Sequence, residues 1–224
     1  MSGEVDVELS LPRWRGITAP VTVLTDVALG ALAFVLGARL GVSGAAEGEA
    51  ARMALGVGLL ATSVAAMLGA GAHGADPVTA PRAREAAWRA ALHVTGVVGA
   101  ATIATVAWFA ATGLWRTALL WIAAAKLCVY TVAVARRPEF RLAALDYGSA
   151  LAVLLGGAAY AGLSWHSRGT VWIIGGVAVS LVAGVIQERR IAPNRHFNHN
   201  DLYHVIQMVA LYFLYRGGAL VVDR

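Results

Sequence analysis

The sequence predicts an all-α fold, a polytopic membrane protein built as a seven-transmembrane-helix bundle. Three observations predict it. Of the 224 residues, 58% are hydrophobic and only 14% charged, and the mean hydropathy is +0.66, a composition suited to lipid. Seven apolar runs are long enough to cross a hydrocarbon core of about 30 Å: residues 17 to 42, 52 to 75, 90 to 113, 117 to 135, 142 to 165, 170 to 187 and 201 to 222. The connections between them are short. Gly and Pro inside the runs, as in "GALAFVLGARLG" and "LLGGAAYAG", fit transmembrane helices, because small residues let helices approach closely. No repeat with a period of roughly 20 to 50 residues is visible, which excludes a solenoid. Residues 17 to 224 therefore read as one seven-helix domain.

The elements follow in chain order. Residues 1 to 16 carry three acids and no apolar core, so they read as a short cytoplasmic tail rather than a cleavable signal. The first helix carries Asp26 six residues past Pro20, and the second ends on His73 in "GAGAHG". The third has His93 near its start. The fourth holds Lys126 near its middle and Cys128, the lone cysteine, which excludes an intramolecular disulfide or a cysteine metal site. A mid-helix lysine suits an acid-paired or neutralised side chain, and less well a Schiff base. The fifth helix opens with Asp146 and Tyr147 in "LDYGSA", and the sixth closes on Gln187 and Glu188. The seventh is entered through "HFNHNDLYH", residues 196 to 204. There Asn198 or Asn200 suits an N-cap, with Asp201 in the first turn.

Alternation of the runs across the membrane assigns the basic residues to two sides. Arg13, Arg15, Arg82, Arg84, Arg89, Arg136, Arg137, Arg141, Arg189, Arg190 and Arg195 fall on the amino-terminal side, eleven in all. Arg39, Arg52, Arg116, Arg168, Arg216 and Arg224, six in all, fall on the other. The positive-inside rule then places the amino terminus in the cytoplasm and the carboxy terminus outside. Trp108, Trp115, Trp121, Trp165 and Trp172 gather at the opposite helix ends and read as the outer aromatic belt. The net charge of +5 is spread over several loops without a binding module, which argues against nucleic acid as a partner and for anionic lipid. A single lysine among many arginines, with abundant Ala and Gly, is a compositional habit of bacteria, hence an inner-membrane location.

Asp26, His73, His93, Asp146, Tyr147, Gln187, Glu188 and His204 all lie at the same leaflet on this topology. Ionisable groups cost roughly 2.5 to 3.5 kcal/mol each inside a bilayer and usually face a bundle interior or a water-filled cavity, so their agreement predicts one polar pocket open to the cytoplasm. Asn200 and Asp201 lie one turn before His204 on its face, and Gln207 and Met208 one turn after. His199 joins His204 only from a loop folding back before a helix that begins near Asn200. Neutral imidazoles drawn from different helices suit Zn²⁺.

The run "HNDLYHVIQMVALYFLYRG" resembles the seventh-helix motif of the alkaline ceramidase-like membrane hydrolases, the CREST superfamily, which also takes in the progestin and adipoQ receptors. There the last helix opens with His-x-x-x-His and a third histidine ends helix 2. Those positions fall on Asn200, His204 and His73, and the serine that stands four residues before the helix-2 histidine falls on Gly69. The inward amino terminus resembles the adiponectin-receptor branch. The resemblance implies a zinc-activated water attacking an amide or ester carbonyl of a membrane lipid. On this reading His73, His199 and His204 hold the metal, with His196 or Asp146 as substitutes for His199. Asp26 and Asp146 carry the proton, and Tyr203 or Tyr147 steadies the oxyanion. The alternative is a non-catalytic seven-helix receptor, sensor or transporter with a metal- or proton-binding pocket.

Overall fold

The computed structural model describes residues 17–194 and 196–224. The tail over residues 1 to 16, with Arg13 and Arg15, and also Arg195, lie outside the described residues. Among those described, seven helices follow one another: α1 (Pro20–Glu47), α2 (Ala50–Gly74), α3 (Pro81–Phe109), α4 (Gly113–Arg136), α5 (Phe140–Trp165), α6 (Thr170–Glu188) and α7 (His199–Gly218). Prolines at the first turn start α1 and α3, where a missing N–H costs nothing and the fixed φ suits the helix. Gly48, with φ 73°, ends α1 in the left-handed conformation that glycine adopts without strain.

The helices form a ring that closes on itself. α1 packs on α2 and α7, α2 on α3, α3 on α5, α5 on α6, and α6 on α7, while α4 lies outside against α3. The α1–α2 contact is backbone against backbone: a Cβ at Gly56 would come within 2.8 Å of the Gly41 nitrogen. Four apolar clusters result among the described residues, two of them large. One holds Leu29, Leu36, Leu40, Leu55, Leu59 and Leu211, and the other holds Val106, Phe109, Leu151, Leu154, Ile173, Val177 and Leu214. Leu114, Trp115 and Trp121 on α4 are 81%, 76% and 72% exposed, which is sensible only if lipid covers them.

Six of the seven helices are long and apolar enough to cross a membrane, α1 through α6, and the protein is an integral membrane protein. α7 is not one of the six. Its polar first turns and Gln207 lower its hydropathy, and the buried side of the helix carries Asp201, His204 and Gln207. Polar content that would be costly against lipid is turned into the bundle. Several boundaries also differ from the apolar runs, those of α3 and α7 most instructively. α3 starts at Pro81 rather than near residue 90, because "PRAREAAWR" continues the helix beyond the apolar stretch. α7 starts at His199 and ends at Gly218, since the cap lies at Asn198 and two glycines close the helix.

The end of the bundle where α1, α3, α5 and α7 begin is called the near end below, and the other the far end. At the far end the last residues clasp the helix ends. The Asp223 carboxylate accepts from the Ala50 and Ala51 N–H groups at 2.7 and 2.8 Å, two of the donors an α-helix leaves open at its start. Arg52 bonds the Val221 carbonyl and Glu47.

Candidate functional site

At the near end, α1 and α7 meet through polar side chains. The stretch "VTVLTD" puts Thr22, Thr25 and Asp26 on one helical face, and all three are buried. Asn198 caps α7: its side chain accepts from the Asn200 and Asp201 N–H groups, and Asp201 accepts in return from the Asn198 N–H at 2.7 Å, a complete capping box. The same Asn198 donates to Thr22 Oγ1 at 3.2 Å, so the cap also docks α7 on α1. The second nitrogen-rich position, Asn200, accepts from Gln187 at 2.7 Å and ties α7 to α6. Of the two candidate caps, Asn198 takes the role.

One turn further in, His204 is 8% exposed and uses both ring nitrogens. Nδ1 lies 3.0 Å from Thr25 Oγ1, and Nε2 lies 3.2 Å from Asp26 Oδ1. Thr25 Oγ1 also lies 3.0 Å from the Thr22 carbonyl. A hydroxyl has one hydrogen, and a carbonyl can only accept. Two arrangements fit these contacts. With the Thr25 proton on the Thr22 carbonyl, Thr25 accepts from His204 Nδ1–H and the Nε2 lone pair faces Asp26, ready to share a cation with it; with the Thr25 proton on Nδ1, Nε2–H donates to Asp26 across 3.2 Å.

Around this pair the surroundings are polar and incompletely satisfied. Asp26 Oδ2 is buried without a hydrogen-bond partner among the described residues. Gly69 of α2 abuts it, since a Cβ there would lie 3.2 Å from Asp26 Oδ1. His73, in the last turn of α2, is close enough to interact electrostatically with both Asp26 and His204. One turn beyond His204, buried Gln207 reaches Tyr147 Oη and Ser180 Oγ, both at 3.4 Å, from α5 and α6. The site thus draws on α1, α2, α5, α6 and α7.

Residues 21–222 match the model of DUF6962, a family of unknown function. The chain belongs to the DUF6962 family. No curated protein and no solved structure matches it. The match spans every helix of the bundle, so the residues of the site are contained in the DUF6962 region.

The residues singled out from sequence divide into three groups. Asp26 and His204 are brought into contact, with His73 nearby. Asp146 goes elsewhere: Lys126 Nζ donates to its Oδ1 at 2.5 Å and to its backbone carbonyl at 2.8 Å. The mid-helix lysine is thus acid-paired. Asp146 rests over Gly99 of α3, where a Cβ would fall 2.3 Å from Oδ2. His199 is the first residue of α7 rather than part of a loop before it, and His196 precedes the cap. Among the described residues no three His, Cys, Asp or Glu side chains are grouped closely enough to hold a metal ion. Thr22, Thr25 and Ser180 belong to the site and carry no signal of their own in the sequence beyond the helical spacing of the first two from Asp26.

Proposed function

We propose that the protein is a membrane-embedded, zinc-dependent hydrolase that cleaves an amide or ester bond of a lipid. It would sit in a bacterial inner membrane with its amino terminus and the near end toward the cytoplasm. The observation that carries the reading is the facing of buried His204 Nε2 and Asp26 Oδ1 at 3.2 Å, beside an Asp26 Oδ2 that has no partner among the described residues. Neighbouring ligand atoms of a tetrahedral zinc, with bonds of about 2.0–2.1 Å, stand about 3.3 Å apart. The pair has the separation of two such ligands, and both atoms are of the nitrogen and carboxylate types zinc takes.

Asp26 and His204 would hold the metal, and His73 would complete the set by turning inward from the end of α2. Asp26 then supplies from helix 1 what the resembled motif takes from the position of Asn200. Zinc bound there would supply a Lewis acid that polarises a carbonyl and makes water nucleophilic near neutral pH. The protein's own groups divide the remaining work. Thr25 would fix the His204 tautomer, as hydrogen bonds to the far nitrogen of a ligating histidine generally do. Asp26 Oδ2, buried and unpartnered among the described residues, would be the acceptor for a proton of water. Tyr147, held by Gln207, faces the site as a hydroxyl donor. The Lys126–Asp146 pair stands apart and steadies α4 and α5.

A second reading rests on the same geometry: a proton between Asp26 and His204 satisfies both atoms as well as a metal does. In that case the protein is a non-catalytic receptor, sensor or transporter. Chain purified into phospholipid nanodiscs separates the two when metal is measured by elemental analysis and fatty-acid release from lipid amides and esters by mass spectrometry. The hydrolase reading expects about one zinc per chain, lost in His73→Ala, Asp26→Ala and His204→Ala and kept in His93→Ala and His166→Ala, with release following zinc. Equal metal in all five variants, or no release from any lipid by zinc-loaded protein, would overturn it.

A further inference from the structure

We infer that the far half of α1 around Arg39 binds one anionic phospholipid, with the lipid phosphate on the Arg39 guanidinium. Three of the far-end arginines are held by belt tryptophans: Arg116 over Trp108 at 4.5 Å, Arg216 over Trp172 at 5.2 Å and Arg224 over Trp165 at 4.2 Å. Arg116 also donates to the Ala111 and Arg224 carbonyls. Arg52 is buried and paired with Glu47. Arg39 is different. It lies inside a helix, exposed on the outer face of the bundle, and makes no hydrogen bond, ion pair or ring contact among the described residues.

Its depth follows from two independent measures. Nineteen residues separate it from Pro20, a rise of about 29 Å at 1.5 Å per residue, which is close to the full thickness of a hydrocarbon core. The neighbouring Leu40 reaches the Cβ position of Gly218 at 3.1 Å, so Arg39 is level with the last turn of α7. There Arg216 lies over Trp172. Arg39 therefore stands at the boundary between acyl chains and headgroups, where a cation meets phosphate rather than hydrocarbon.

The surface along this face suits a lipid from chain to headgroup. Val35, one turn toward the membrane centre, is 45% exposed and offers an apolar footing. Val42, Ser43 and Ala46, one and two turns toward the far end, continue the same open face of α1. Ser43 Oγ donates to the Leu40 carbonyl, which leaves its lone pairs for a headgroup hydroxyl. The nearby acids do not neutralise Arg39: Glu47 is engaged by Arg52 and Glu49 by the Asp223 N–H at 2.6 Å. A planar guanidinium with free donors takes a phosphate in bidentate fashion.

Native mass spectrometry of the full chain in detergent, titrated with phosphatidylglycerol or with phosphatidylcholine, tests the site. The wild type is expected to retain one phosphatidylglycerol in preference to phosphatidylcholine. Arg39→Gln should weaken that retention by about five- to tenfold, Arg39→Lys by less, and Arg168→Gln, in an exposed far-end loop, not at all. Because Arg39 packs against no other side chain through a polar contact, the variant should fold, and its thermal melt in detergent checks this. Equal retention by wild type and a folded Arg39→Gln would refute the site. So would a wild type that holds both lipids alike, an outcome that needs no variant.

Discussion

For His204 to hold a metal through Nε2, its Nδ1–H must be the group that faces Thr25, so on the proposed function a threonine with no chemistry of its own decides what the imidazole can bind. Thr25→Val would remove the acceptor while keeping the shape. The buried Nδ1–H would then lose its partner, at a cost of about 1–3 kcal/mol, unless the ring changes tautomer and donates Nε2–H to Asp26 instead. That switch satisfies both groups and removes the lone pair a metal needs. Thr25→Val is thus expected to fold, with zinc affinity lower by about 10- to 100-fold in a chelator competition, and Thr25→Ser to restore it. Unchanged affinity in Thr25→Val would show that Thr25 does not set the tautomer. Asp26 and His204 were legible in the sequence because ionisable residues in apolar runs need partners. Thr25 was not, and the reason is physical. Thr62, Thr95, Thr102 and Thr105 also sit in membrane helices, and each merely donates to the carbonyl four residues back. Thr25 makes the same kind of bond to Thr22 and is distinguished only by what α7 brings against its other side. The partner of Asp146 was not legible either: an acid at that depth is drawn to the nearest cation, and Lys126 is reached across α4 and α5 by packing that periodicity does not reveal.

Among the elements, α1 to α6 were readable as apolar runs because lipid on one side and helix on the other both favour apolar residues. The start of α7 was readable in kind but not in register. "NHND" offers two asparagines, and only three-dimensional contacts choose Asn198, whose amide spans the α7 N-terminus and Thr22 at once. Placing the cap at Asn198 also draws His199 into the first turn. This helix is more polar than the α1 and α6 against which it packs, so its stability depends on its ends more than theirs does. Asn198→Ala is expected to lose both sides of the capping box and the tie to α1, and to cost about 0.5–2 kcal/mol in thermal or denaturant unfolding in detergent. Asn198→Asp, which can still accept from the Asn200 and Asp201 N–H groups, should cost less, although it cannot donate to Thr22. If Asn198→Ala and Asn200→Ala were equally mild, the capping box would not be holding the helix. The two can be compared cleanly because Asn200 bonds Gln187 rather than the backbone of α7.

For the whole molecule, the two ends differ in kind, and the difference gives it a direction. At the near end the helices converge on the Asp26–His204 pair, and the helix ends and loops there carry Arg82, Arg136, Arg137, Arg141, Arg189 and Arg190. At the far end the tryptophans hold Arg116, Arg216 and Arg224, and the Asp223 carboxylate closes the start of α2. The orientation we propose keeps the first side in the cytoplasm, because arginine near helix ends resists translocation. Single cysteines test this in a Cys128→Ser background, which removes the exposed native thiol. Val78, 73% exposed between α2 and α3, reports the near end, and Arg168, exposed between α5 and α6, the far end. With a membrane-impermeant thiol reagent on intact cells, Arg168→Cys is expected to label and Val78→Cys to label only after permeabilisation. The reverse pattern would turn the molecule over and put the polar site on the outer side, where its lipid would come from the other leaflet. Labelling of both on intact cells would be inconsistent with their lying on opposite sides of a membrane, so the experiment also tests whether the six apolar helices cross it as a bundle.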